Sequence, residues 1–348
     1  MKILLYARFF PDSFGRNIAA AAEHMGHTVR AVEESFEQRS FNRYWRTFWV
    51  LLPKVFPASQ AWRHRALVEA ARTFSPDLIL LTSAEVPLGV VRELRLVCAA
   101  KVAVWYPDAL VNLGRQYLLA SDLDAWFFKD PYMARAFRHK LEINAQYLPE
   151  ACNPLWHHRV ELTEADRRKY ACELCTVSNM YYYRARMLEM FKDYDLKIWG
   201  ISYPSWLESP LRPCYPNVYV AELEKAKAFA AAKIVLNTMH YAEIEGVNCR
   251  LFEVAGCGAF QIADWKPALA ELFEPEREMV TFRTREELKE KVDYYLAHPE
   301  ERQEIAERAY VRAQRDHTYE VRLRAMFQIL SLSSRPEVEV HAEVGQGR

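Results

Sequence analysis

Short apolar runs alternate with helix-length mixed stretches along nearly the whole chain. In the first half the runs are Lys2–Ala7, Thr28–Val32, Asp77–Thr82, Lys101–Tyr106 and Ala125–Phe128, with a helix over Asn17–Met25 stopped by Gly26. Strand and helix in alternation imply a parallel sheet with helices on both faces. Ligands of such sheets bind beyond the carboxyl ends of the strands. Those ends carry Arg8 to Gly15, Thr82 to Glu85, Tyr106 to Asp108, and Lys129 with Asp130.

The second half repeats the pattern, with strands expected at Leu174–Val177, Leu196–Trp199, Val218–Val220, Ile234–Asn237, Phe260–Ala263 and Met279–Phe282. Helices follow at Arg285–Ala297 and Pro299–Gln314. A polar, charged passage over 145–175 is the expected linker. The division is therefore 1–160, 161–316, a helix over 317–332, and a polar tail from 333 to 348 without periodicity. At 348 residues the chain is too long for one ordinary core and fits two domains.

The most telling stretch lies in the second half. Lys233–Asn237 reads as a buried strand, followed by a polar loop and a helix from about Asn248 to Ala255. A Gly256-Cys-Gly258 stop and a second strand, Ala259–Ala263, complete a βαβ unit. The amino end of that helix offers unpaired N–H groups and a positive dipole end, which suits a phosphate. Gly246 lies where the loop turns toward the helix. Glu245 in the loop and Glu253 in the helix have seven residues between them. One carboxylate can accept two hydrogen bonds from a ribose diol, and the other can do so from sugar hydroxyls. Arg250, two residues into the helix, opposes the dipole at a cost of about 0.3–1 kcal/mol unless an anion is near. It is thus a diphosphate candidate, with Asn248 as a hydrogen-bonding neighbour.

This stretch resembles the Glu-x7-Glu signature of GT-B glycosyltransferases. Gly246-Val-Asn-Cys-Arg250, Phe252-Glu-Val-Ala-Gly-Cys-Gly-Ala259, Glu271-Leu-Phe-Glu-Pro275 and His317-Thr-Tyr-Glu-Val-Arg322 further resemble the CgeB-like, spore-maturation type. The likeness runs over roughly 175–330 and is looser before that. It implies two Rossmann-like domains facing across a cleft, with the last helix crossing back to the first. It also implies glycosyl transfer from a nucleotide-diphosphate sugar, retaining and without metal. In that family the turn at Ser178 to Arg184 faces the donor diphosphate, with an arginine at Arg184 rather than Arg186. Glu253 would hold the ribose. Glu245, with His240 beside it and Glu243 as fallback, would hold the sugar. Asp108 resembles the family's Trp-x-x-Asp stretch and would serve the acceptor, as base if the reaction inverts; Asp130 ranks below it. Gly15 would let acceptor or phosphate approach the backbone.

Composition trims the alternatives. Basic and acidic residues number 46 each, so nothing points to a nucleic-acid partner. No Gly-x-Gly-x-x-Gly follows the first strand, against a dinucleotide cofactor. Met1–Ala7 is too short for a leader, and no apolar run approaches the ~20 residues that span a bilayer. Seven scattered cysteines suit a reducing compartment, and Cys172 with Cys175 read as plain buried residues. The expected location is the cytoplasm, with contact to the inner membrane face left open. Trp45, Phe48, Trp49 and Leu52 form an amphipathic stretch with Arg43, Arg46 and Lys54. It reads as packing on the protein's own core or lining an acceptor cleft, and a membrane contact over 43–54 is the alternative. Base, sugar, oligomeric state and the acceptor, whether glycan, protein or lipid-linked, are not legible. Two rivals remain open: an epimerase of the same fold, and a non-catalytic binding module.

Overall fold

The computed structural model describes residues 1–34, 64–83, 85–113 and 117–332. The expected 43–54 stretch and the 333–348 tail lie outside the described residues. The first domain carries β1 (Lys2–Ala7), α1 (Phe14–His24), β2 (Thr28–Glu33), α2 (Arg65–Phe74), β3 (Leu78–Leu81), α3 (Leu88–Val97) and β4 (Lys101–Tyr106). After these come α4 (Tyr117–Ala120), β5 (Ala125–Phe128), α5 (Pro131–Leu141) and β6 (Ala145–Tyr147). Its sheet is parallel, in the order β2-β1-β3-β4-β5-β6. The period of two along each strand divides the core. Leu4, Tyr6, Ile79, Leu81, Val102 and Val104 pack on one face, with α2 and α3. Ile3, Leu5, Leu78, Leu80, Ala103 and Trp105 pack on the other, with α1.

The second domain holds α6 (Glu164–Tyr170), β7 (Cys172–Val177), α7 (Tyr182–Leu188), β8 (Leu196–Trp199), α8 (Glu222–Ala231), β9 (Ala232–Asn237) and α9 (Cys249–Gly256). It continues with β10 (Gln261–Asp264), α10 (Leu269–Leu272), β11 (Val280–Phe282), α11 (Arg285–Ala297) and α12 (Pro299–Asp316). The sheet order is β11-β10-β9-β7-β8, again parallel. The last helix, α13 (Tyr319–Ile329), leaves this domain and lays Tyr319, Leu323, Met326 and Phe327 into the first domain's core. No helix among the described residues is long and apolar enough to cross a membrane.

Two expectations need correction. Val218 and Tyr219 are exposed and pair with no strand among the described residues; the Tyr219 hydroxyl instead donates to the Pro11 carbonyl of the first domain at 2.6 Å. The passage 145–175 is also more ordered than a linker, since β6 completes the first sheet and α6 is closed by a Thr163–Asp166 capping box. The chain crosses between the sheets over 148–163 and again at His317–Thr318. These crossings are stitched together. Cys152 N–H donates to His317 O at 2.9 Å, and Tyr319 N–H donates to Cys152 O at 3.1 Å. Arg322 adds donations to Pro149 O (3.2 Å) and to Nδ1 of His317 (2.9 Å), while His317 Nε2–H donates to Leu272 O at 2.7 Å.

If α13 is integral to the first domain, Leu323→Ala should cost about 2–5 kcal/mol, as for other fully buried leucines. Urea denaturation measures this, and a loss under about 1 kcal/mol would show that the helix is only loosely docked.

Candidate functional site

The carboxyl ends of the two sheets face each other, and the loops beyond them meet across the gap. Gly246 shows how closely. A Cβ there would stand 2.9 Å from both the Lys129 carbonyl and Asp130 Cα. Asp130 caps α5 through Tyr132 N–H (2.8 Å) and uses its other oxygen for the N–H groups of Ile244 (3.2 Å) and Glu245 (3.1 Å). Beneath this contact Lys129 is buried between Glu243, 2.6 Å away, and Glu150, 3.8 Å away. Two carboxylates around one ammonium leave an excess of negative charge. Burial, with Glu243, Glu253 and Asp108 adding, pushes the Glu150 carboxyl up to about 8 against the pull of Lys129.

A second charged cluster lies between the β1–α1 loop and α9. The ammonium of Lys225, on α8, stands 2.9 Å from Glu253 and also pairs with Asp12. His157 Nε2 is 3.2 Å from Asp12 and 4.0 Å from Glu253. Asp12 takes a left-handed backbone (φ 65°), which aspartate tolerates better than most residues. Burial opposes its ionisation, yet Lys225 and His157 hold it well below the usual carboxylate range. Asp12, His157 and Glu253 together resemble a metal-ligand set. Their chemistry argues otherwise. His157 Nδ1 accepts Asn153 N–H at 3.0 Å, so its proton sits on Nε2 and faces the carboxylates. Lys225 already supplies the positive charge that a cation would bring.

At the start of α9 the balance reverses. Arg184, 5% exposed, donates to Thr238 Oγ1 (3.0 Å), Thr238 O (3.3 Å) and Asn179 O, and lies over the Tyr181 ring at 4.3 Å. Arg250 donates to Val177 O at 2.8 Å and to Asn237 Oδ1 at 3.2 Å. Neither has a carboxylate partner among the described residues. Burial, and then the neighbouring Arg250 charge, pull Arg184 down to about 9. Two like charges held together, with no counter-ion beside them among the described residues, suit an anion beside a helix amino terminus.

The expected site residues thus fall into different settings. Glu253, Arg250 and Arg184 come together at α9. Ser178, at the end of β7, is buried against Thr176 (3.3 Å between hydroxyls). Asn248 spends its amide on capping Leu251 N–H (3.2 Å) and on Asn237 (2.9 Å). Gly246 serves the contact between domains, its Cβ direction blocked by the first domain. The room at Gly15 is also taken, by Ala7 Cβ at 2.4 Å and Arg8 O at 2.7 Å, so this glycine seats α1 on β1. Glu245 is tied to the exposed Arg135 at 2.6 and 2.8 Å, at the rim. Glu243 is buried, with one oxygen lacking a hydrogen-bond partner among the described residues. His240 accepts Ala242 N–H at Nδ1 (3.2 Å), and burial keeps it below the usual imidazole range. Asp108 is exposed at the end of β4, where its charge acts on His240, Glu150 and Tyr106. Arg186 turns outward to Glu189 at 2.5 Å.

Sequence reasoning misses Lys225, His157, Lys129 and Glu150 as members of the site. Lys129 and Asp12 do stand beyond strand ends, which is the signal available. Lys225 sits on α8, where a strand is expected just before and no helix is read. Two Asp-x-Asp triplets stand in the sequence, at Asp122–Asp124 and Asp193–Asp195. Both precede strands, at the opposite end from the cleft, and Asp124 is bound by Arg95 (2.8 Å) and Lys101 (3.0 Å).

Residues 182–328 match the family described as glycosyl transferase-like. No curated protein matches the sequence. Among solved structures, sucrose-phosphate synthase from Thermosynechococcus elongatus is 14% identical, covering 95% of this chain and 98% of its own, with a TM-score of 0.65. A glycosyltransferase from Rickettsia africae is 13% identical over 95% and 97%, TM-score 0.66. Anabaena HepE, in complex with UDP and glucose, is 12% identical over 95% and 99%, TM-score 0.62. The fold is that of the GT-B glycosyltransferases.

The raised Glu150 carboxyl has a consequence for stability. The folded state binds its proton up to about pH 8, whereas an unfolded glutamate releases it near 4.5. Stability from this group is therefore full below about 4.5 and lost as the pH rises through 8. Glu150→Gln should gain on the wild type as pH goes from 5 to 8 in denaturant titrations. A stability difference that does not change between pH 5 and 8, or a mutant that loses ground, would show that the folded protein does not hold the Glu150 proton.

Proposed function

We propose that the protein transfers a glycosyl group from a nucleotide-diphosphate sugar to an acceptor hydroxyl, without metal and with retention at the anomeric carbon. The observation that carries this reading is the pair Arg184 and Arg250, two neighbouring guanidinium groups without a carboxylate partner among the described residues, at the amino end of α9. Glycosyl transfer leaves a nucleoside diphosphate, whose added charge must be met as the bond breaks. Fixed cations and helix N–H groups do this with little reorganisation, so a metal is not required. Retention and metal independence rest on the GT-B resemblance.

Glu253 is the ribose carboxylate in this reading, oriented by Lys225 2.9 Å away. For the sugar, Glu243 replaces Glu245. Glu245 is committed to Arg135 at the rim, while the buried Glu243 pairs with Lys129, acts on His240, and has one oxygen without a hydrogen-bond partner among the described residues. His240, its Nδ1 taken by the Ala242 N–H, keeps Nε2 for the sugar in this reading, and Asp108 positions the acceptor. The UDP complex of the structurally similar HepE makes uridine donors the first to try.

A thermal-shift panel of UDP, GDP, TDP, CDP and ADP with their common sugars tests the reading. A ligand at one hundred times its dissociation constant adds about 2.7 kcal/mol of stability. One nucleotide series should raise the melting temperature by several degrees, and Glu253→Ala or Arg184→Met should abolish the shift. No shift with any of them would refute the donor site. Conversion of the donor alone to an epimer would replace transfer with epimerisation.

With a working donor and acceptor, Glu243→Gln should lower kcat/KM about tenfold or more, the scale of a charged hydrogen bond. Glu245→Gln should stay within about threefold, since it removes only an exposed ion pair. The reverse ranking would return the sugar role to Glu245.

A further inference from the structure

Arg250 is aimed by buried residues that form a closed chain of hydrogen bonds. The Leu251 carbonyl can only accept, so Gln261, 2.8 Å away, must turn its Nε2 toward it. The Gln261 Oε1 then faces Asn237, which must present its Nδ2, at 3.1 Å. That leaves Asn237 Oδ1 pointing the other way, where it accepts from Arg250 Nη1 (3.2 Å) and Asn248 Nδ2 (2.9 Å). Asn248 is thereby left with its own oxygen for the Leu251 N–H at the helix start. Each amide orientation follows from the one before, so no member can flip without stranding a buried donor or acceptor. Asn237 is fully buried and Gln261 nearly so.

The charge of this chain matters as much as its geometry. A carboxylate at Asn237 would hold Arg250 equally well and neutralise it. An amide oxygen holds the guanidinium with no net charge and leaves its positive charge undiminished. We infer that Asn237 and Gln261 are positioning residues, a neutral relay that orients Arg250 and keeps its charge available for the donor diphosphate. The inference rests on the glycosyl-transfer reading above and adds to it the device that sets diphosphate affinity.

Asn237→Asp preserves shape and the acceptor toward Arg250 and adds the missing charge, while giving up the donation to Gln261 Oε1. Calorimetric titration with the nucleoside diphosphate that stabilises the wild type should show affinity about tenfold or more weaker in this variant. Affinity for the corresponding unphosphorylated nucleoside should be unchanged. In an Arg250→Met background the same substitution should have no further effect, because the relay acts only through Arg250. Gln261→Met, which frees Asn237 to turn, should weaken the diphosphate in the same selective way and serves if the aspartate variant does not fold. Unchanged diphosphate affinity in both variants, or an equal loss in the Arg250→Met background, would overturn the relay alone. A wild type that binds no nucleoside diphosphate would overturn both the relay and the reading beneath it.

Discussion

Two buried lysines hold the cleft together, and the rest of the structure is arranged around the cost of burying them. Lys129 projects from the end of β5 to Glu243 of the opposite domain, and Lys225 from α8 to Asp12 of the opposite domain. A buried charge is tolerated only when paired, and breaking one member of such a pair is more costly than never having had it. The domains therefore meet in a defined register, one that brings Gly246 against Asp130 and sets Glu253 facing the β1–α1 loop. Lys129 is shared by Glu243 and a Glu150 that keeps its proton to about pH 8, whereas Lys225 faces both Asp12 and Glu253, so the excess of negative charge lies at the second cluster.

The start of α9 has the opposite imbalance. There, Arg184 and Arg250 are satisfied by carbonyl, hydroxyl and amide oxygens, all uncharged. A few residues along one helix thus separate an electropositive end from an electronegative body. A donor with an anionic centre and hydroxyl-bearing flanks matches that gradient.

Much of the fold was legible because parallel strands announce themselves as short apolar runs. Lys2–Ala7, Lys101–Tyr106, Ala125–Phe128 and Leu196–Trp199 coincide with β1, β4, β5 and β8. The Val218–Val220 run has the right residues but pairs with no strand among the described residues, and pairing is a tertiary property that composition does not carry. In the site, what could be read was position relative to strand ends and helix starts. Sequence favours Arg184 over Arg186, and the structure buries the first and leaves the second paired at the surface. Partnerships were not legible. Glu253 on a buried helix demands a cation, but nothing local identifies Lys225, nearly thirty residues earlier. Nor does spacing alone separate Glu243 from Glu245, because only the opposing domain decides which of them faces Arg135 and which Lys129.

The crossing of α13 makes the first domain discontinuous in sequence. Its core is completed by Tyr319, Leu323, Met326 and Phe327, which are made only after the whole second domain. During synthesis the part of the first sheet's face that receives them waits for α13 to emerge, with only α1 among the described helices to cover it until then. Recombination has the same boundary problem: a second domain exchanged between proteins of this architecture must be cut twice, once within 148–163 and once before Thr318. A single junction would strand the final helix with the wrong partner, so new specificities in this architecture arise more easily as insertions between two fixed seams than as tail-to-tail fusions.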